Sequence, residues 1–147
     1  IADWFFGING SIGIFVYRSP RVQYQQMVQI YKITGRLPPS YDNFLNELES
    51  KYQSISWILD SNYKFIFISF DKLLNDIDYR NRLEVYFKQM NILRGINYDF
   101  SESIKNNESL SSLSEKIVPS KKSIKTEDVI RSYHEFFENK LYDNIGR

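Results

Sequence analysis

The segment Gly13-Ile14-Phe15-Val16-Tyr17-Arg18-Ser19-Pro20-Arg21 places two guanidinium groups where an apolar, β-branched and aromatic run stops. A guanidinium is a planar fork of donors that matches the oxygens of phosphate, sulfate or carboxylate. Ser19 is an N-cap residue by type, and Pro20 suits the first helical position. Pro20 has no N–H to leave unpaired, and its φ is already near helical. The segment reads as a strand running straight into a helix. Such a junction gathers free backbone N–H groups and the positive end of a helix dipole. In open α/β sheets, ligands collect at the carboxyl ends of strands. The implied chemistry is binding of a phosphate or sulfate group through Arg18 and Arg21. The competing reading has both arginines paired with acidic side chains of the same chain.

Other reactive types are sparse. There are no cysteines and one histidine, so thiolate chemistry is excluded and a histidine metal centre is not expected. His134 stands beside Tyr133 in an apolar terminal pattern, where a structural role is expected. Asp71, Asp76 and Asp78 fall at helix starts, where carboxylates cap and complement the dipole; no metal is expected there. Lys116, Lys121, Lys122 and Lys125 form a basic cluster, readable either as a solvated face or as an anion clamp.

The elements that must hold these groups follow from periodicity. The chain has 147 residues, 42% hydrophobic and 25% charged, which is a globular composition with room for a core. Nineteen basic against 18 acidic residues leave a net charge of +1, so nothing global favours nucleic acid or an anionic lipid surface. No apolar run is long enough to span a bilayer, no leader pattern opens the chain, and a cytoplasmic compartment is expected. A strand is expected over Ser11–Tyr17, buried on both faces because it hardly alternates. A helix follows from Pro20 to Thr34, burying Val22, Met27, Ile30 and Tyr31 and stopped by Gly35. Leu37-Pro38-Pro39 is a rigid connector.

Ser40 caps a second helix carrying Phe44, Leu45, Leu48, Tyr52, Ile55 and Ile58 on one stripe. Asp60-Ser61-Asn62 is a turn, and Tyr63–Phe70 a second strand. A helical turn over Asp71–Asn75 leads to a helix over Asp78–Met90 that buries Leu83, Val85, Tyr86 and Met90. Residues 97–125 are rich in Ser, Asn, Glu and Lys and read as a polar loop. The last helix is expected from Thr126, with Val129, Ile130, Tyr133, Phe136, Phe137 and Leu141 as its apolar face. Strand, helix, helix, strand is an α/β crossover, yet two strands make a poor parallel sheet with covered faces. The expectation is a single, partial α/β domain over 1–147, the C-terminal part of a larger one. Its missing strands would precede Ile1, where the chain opens without methionine.

Four segments in order resemble the C-terminal half of the PAPS-dependent sulfotransferase family, in particular its bacterial carbohydrate-type members. Val16-Tyr17-Arg18-Ser19-Pro20-Arg21-Val22-Gln23-Tyr24 is similar to the family's strand followed by Arg-Asp-Pro-Arg-Asp-Gln-Tyr/Phe. Tyr41-Asp42-Asn43-Phe44-Leu45 with Trp57 resembles the helix before the next strand. Ile68-Ser69-Phe70-Asp71-Lys72-Leu73-Leu74-Asn75 resembles the Tyr/Phe-Glu-Asp-Leu segment, and Pro119-Ser120-Lys121-Lys122-Ser123-Ile124 the late Ser-Lys-Lys-Asn-Ile-Gly loop.

The resemblance implies a P-loop-like parallel-sheet fold and a nucleotide donor, PAPS, carrying a 3′-phosphate and a 5′-phosphosulfate. Arg18 looks like the arginine that binds the 3′-phosphate, Gln26 stands where a serine usually shares that task, and Phe70 matches an aromatic near the adenine. Lys121 and Lys122 match the basic pair that closes on the phosphate. Ser19 and Val22 replace aspartates of the pattern, and Lys125 replaces a glycine. The implied reaction is transfer of a sulfuryl group to a hydroxyl or amine, first of all on a glycan, with no metal. The family's phosphosulfate loop and base lie upstream of the arginine strand, so no catalytic residue is named within this chain. The alternative is a scaffold or partner-binding module that keeps the fold without the donor site. A glycosyltransferase-like nucleotide binder is disfavoured, because no acidic pair sits at a strand end.

Overall fold

The computed structural model describes residues 12–59, 65–90 and 117–145, without the side chains of 57–59 and 141–145. The described residues are mixed α/β, mostly helical, with a two-stranded parallel sheet. In chain order the elements are β1 (Gly13–Tyr17), α1 (Pro20–Ile33), α2 (Tyr41–Leu59), β2 (Phe65–Ser69), α3 (Phe70–Asn75), α4 (Ile77–Gln89) and α5 (Lys121–Ile145). The strands run in register from Gly13 opposite Phe65 to Tyr17 opposite Ser69. Both therefore end at the same edge, and each passes almost directly into a helix.

Strand pleating sends alternate residues to opposite faces. Phe15, Tyr17 and Phe67 face α2 and α5, where they join Tyr41, Phe44, Leu45, Leu48, Tyr52, Ile130 and Phe137 in the main core. Ile66 and Ile68 face α4 and pack with Tyr79, Leu83 and Phe87. The expectation that β1 is buried on both faces is corrected here. Ile14 and Val16 are 43% and 53% exposed, whereas their register partners Ile66 and Ile68 are 2% and 6% exposed. The cover of α4 lies over β2, and among the described residues it does not extend to the same face of β1.

The helix starts carry local reasons. Ser19 holds the N-cap position of α1 with Pro20 following, but its side chain makes no capping bond. Thr34 closes that helix, and Gly35 follows at φ +70°, a region that favours glycine. Val28 is the residue α1 buries; Val22, Met27 and Tyr31 are half-buried, and Ile30 is exposed. Ser40 Oγ accepts from the Asn43 amide at 3.2 Å and caps α2. Asp76 accepts from the Tyr79 amide at 2.9 Å and caps α4, as its position predicts.

Two further expectations change. The α4 helix buries Tyr79, Leu83 and Phe87, one stripe at i, i+4, i+8, while Val85 and Met90 are exposed. The contact with Ile66 and Ile68 selects this face over the neighbouring one. The last helix starts at Lys121, not Thr126, so the end of the expected 97–125 loop is helical. Ser120 is its cap, accepting from the Ser123 amide at 3.1 Å, and Asp42 in turn holds both serine hydroxyls. The turn at 60–62 and residues 97–116 of the loop lie outside the described residues. No helix among the described residues is long and apolar enough to cross a membrane.

Candidate functional site

The shared carboxyl edge of β1 and β2 gathers the charged groups. Arg18 leaves β1 and is only 11% exposed; its Nε donates to Asp71 Oδ1 at 2.9 Å. The other Asp71 oxygen accepts from the Ser19 amide at 2.6 Å. Asp71 sits in the first turn of α3, yet it grips the neighbouring strand end and not its own helix start. The guanidinium of Arg18 lies over the ring of Phe70, 5.0 Å from its centroid. These contacts use one edge and one face of the group. Nη1 is buried and has no hydrogen-bond partner among the described residues. A buried donor left unpaired costs about 1–3 kcal/mol, so such groups call for an acceptor.

Arg21, one helical position past Pro20, makes a two-armed pair with Glu127 of α5, both arms at 2.9 Å. Glu127 also accepts from the Tyr41 hydroxyl. The bonds from Arg21 hold the Glu127 carboxyl below the usual range against the opposing push of burial, and the Tyr41 bond adds to them. Burial, then the same carboxylate, pushes the Tyr41 phenol up. A third pair, Lys72 with Glu138, ties α3 to α5.

Beside these pairs lies a cleft of about 330 Å³, lined by Ser19, Pro20, Arg21, Glu127, Arg131 and His134. His134 is half-buried, with Nε2 2.8 Å from the Tyr52 hydroxyl and its ring 4.7 Å from that of Tyr17. Burial pushes its pKa down to about 4, and Asp71 pulls in the opposite direction. The imidazole is therefore neutral near neutral pH.

Of the expected site residues, Arg18 and Phe70 are in contact. Gln26 is half-buried on α1, and among the described residues no hydrogen bond links it to Arg18. Lys121 and Lys122 are exposed at the start of α5, and among the described residues neither forms an ion pair. At 100° per residue they lie well off the helical face that carries Glu127, Arg131 and His134. The carboxylates Asp71 and Glu127 are not legible in the sequence as arginine partners: Asp71 reads only as a helix-start residue, and Glu127 follows Thr126 where the last helix is expected to begin. No group of histidine, cysteine or acidic side chains suited to a metal ion occurs among the described residues. The chain matches no protein-family model, no curated protein and no solved structure.

Proposed function

We propose that the chain is the donor-binding, C-terminal part of a P-loop-like α/β domain of sulfotransferase type, with PAPS as its nucleotide. The observation that carries this reading is the unpartnered, buried Nη1 of Arg18 at the shared carboxyl edge of two parallel strands. Its acceptor would be an oxygen of the 3′-phosphate, the role the sequence resemblance gives to Arg18. Phe70 supports the guanidinium from below and presents an aromatic surface at the strand end. Ser19, Arg21 and Arg131 line the adjoining cleft and supply further donors to an anion. PAPS, when bound, supplies the sulfuryl group; a hydroxyl or amine, first of all on a glycan, would receive it. Positioning and charge neutralisation dominate such group transfers, and arginine provides both without a metal.

A second reading has its own support. Arg18 and Arg21 are each paired with a carboxylate of the chain, as in a scaffold that keeps the fold without the donor. Calorimetry with adenosine 3′,5′-bisphosphate, the desulfated product, separates the two. The donor-site reading expects binding that falls roughly tenfold or more in Arg18→Ala, the scale of a hydrogen bond to a charged group. A folded chain that does not bind the nucleotide favours the scaffold.

A further inference from the structure

We infer that Asp71 is the positioning residue for Arg18, holding its guanidinium by Nε so that Nη1 is left to an oxyanion; this rests on the donor-site reading above. An arginine paired end-on with a carboxylate spends both terminal nitrogens. Asp71 instead takes only Nε, at 2.9 Å, and anchors its second oxygen on the Ser19 amide at 2.6 Å. The carboxylate thus spans the side chain of one residue and the backbone of the next. That bridge fixes the guanidinium relative to the β1–α1 junction, where a ligand would sit. Phe70 closes one face of the same group. With Nε, that face and the backbone anchor all settled, Nη1 remains buried and without a partner among the described residues.

The partner of Arg18 comes from α3, directly after β2, and not from β1 or α1. A group on the neighbouring strand end reaches the guanidinium through Nε and leaves Nη1 without a partner among the described residues. Asp71 is partly exposed and Arg18 much less so, so the arginine is the more buried member of the pair.

The test combines a mutant cycle with a signal that needs no nucleotide. In the full chain, affinities for adenosine 3′,5′-bisphosphate and for adenosine 5′-phosphate are compared in wild type, Arg18→Ala, Asp71→Ala, Asp71→Asn and the double alanine variant. The expected result is a loss of roughly tenfold or more in Asp71→Ala, confined to the bisphosphate, smaller in Asp71→Asn, which keeps one acceptor. The double variant should be no weaker than Arg18→Ala, because Asp71 acts through Arg18. A merely structural aspartate would give additive losses on both nucleotides.

In parallel, the Arg18 Nε–H resonance, identified by its absence from Arg18→Lys, should be ordered in wild type and averaged in Asp71→Ala. Bisphosphate binding that needs Arg18 but is indifferent to Asp71 overturns the inference alone. A disordered Nε–H in wild type also overturns it. No response to bisphosphate, inorganic phosphate or sulfate by folded wild type overturns both this inference and the donor-site reading. A response to inorganic phosphate or sulfate that depends on Asp71, without nucleotide binding, upholds the inference and removes the nucleotide.

Discussion

The Tyr52 hydroxyl lies 2.8 Å from His134 Nε2 and hydrogen-bonds that nitrogen. Burial pushes the Tyr52 phenol up, so it stays protonated. A protonated phenol can donate or accept, so the direction of this bond follows the imidazole tautomer. The ring also lines the cleft beside Arg21 and Arg131.

Stability should follow from the same titration. His134 has a folded pKa near 4 against an ordinary value of 6.5. Between those values the unfolded chain binds a proton that the folded chain refuses. Stability therefore falls as pH drops across that window and levels off below it. His134→Gln keeps an acceptor for Tyr52 and removes the titration, so its urea midpoint should vary less across the window. An unchanged slope would place the pH dependence elsewhere.

Glu127 behaves with the opposite sign. Its carboxyl is held below its ordinary 4.5, chiefly by Arg21. Such a group stabilises the fold above its unfolded value, and that contribution is lost as pH falls through the folded value. Arg21→Ala leaves the nearly buried carboxylate with Tyr41 and should cost about 1–3 kcal/mol. Arg21→Lys keeps the charge but not the two-armed geometry and should fall between. Chemical denaturation at neutral pH measures both; equal stability of all three proteins would show that the pair contributes nothing.

Local punctuation made much of the fold legible. Pro20, Gly35, Ser40 and Asp76 act within a few residues of themselves, so the start or stop each signals needs no tertiary knowledge. The partners of the arginines needed that knowledge: Asp71 is 53 positions from Arg18, and Glu127 is 106 from Arg21. Ser120 is a cap by type, but Asp42 on another helix braces it, and the loop before it masked the signal. In α4, apolar residues occupy adjacent faces, and only contact with Ile66 and Ile68 chooses Tyr79, Leu83 and Phe87. The arginine at the strand end and Phe70 were legible as a pair of candidates; the edge-on hold of Asp71 was not.

The last helix offers a matched pair on one apolar run. Phe137 is fully buried and stacked on Phe67, centroids 4.7 Å apart with parallel rings, whereas Phe136 is 43% exposed. Phe137→Ala should cost about 3–5 kcal/mol, a large part of the stability of an ordinary domain. Phe136→Ala should stay near about 1 kcal/mol or below. Urea unfolding of the two variants tests whether the core is organised around the Phe67–Phe137 stack; equal losses would contradict it.

Ile14 and Ile66 face each other across the sheet and present the same side, yet only Ile66 is covered. Threonine at either position keeps the β-branched shape and adds a hydroxyl. At Ile66 the hydroxyl enters the layer formed with Tyr79, Leu83 and Phe87 and should cost about 1–3 kcal/mol. At Ile14 the hydroxyl meets water, so the change should stay within about 0.5 kcal/mol. The comparison holds strand, register and substitution constant, so the difference reports the cover alone. Equal costs at both positions would mean that the outer face of β1 is covered in solution, and that the open half of the sheet is not a feature of the folded chain.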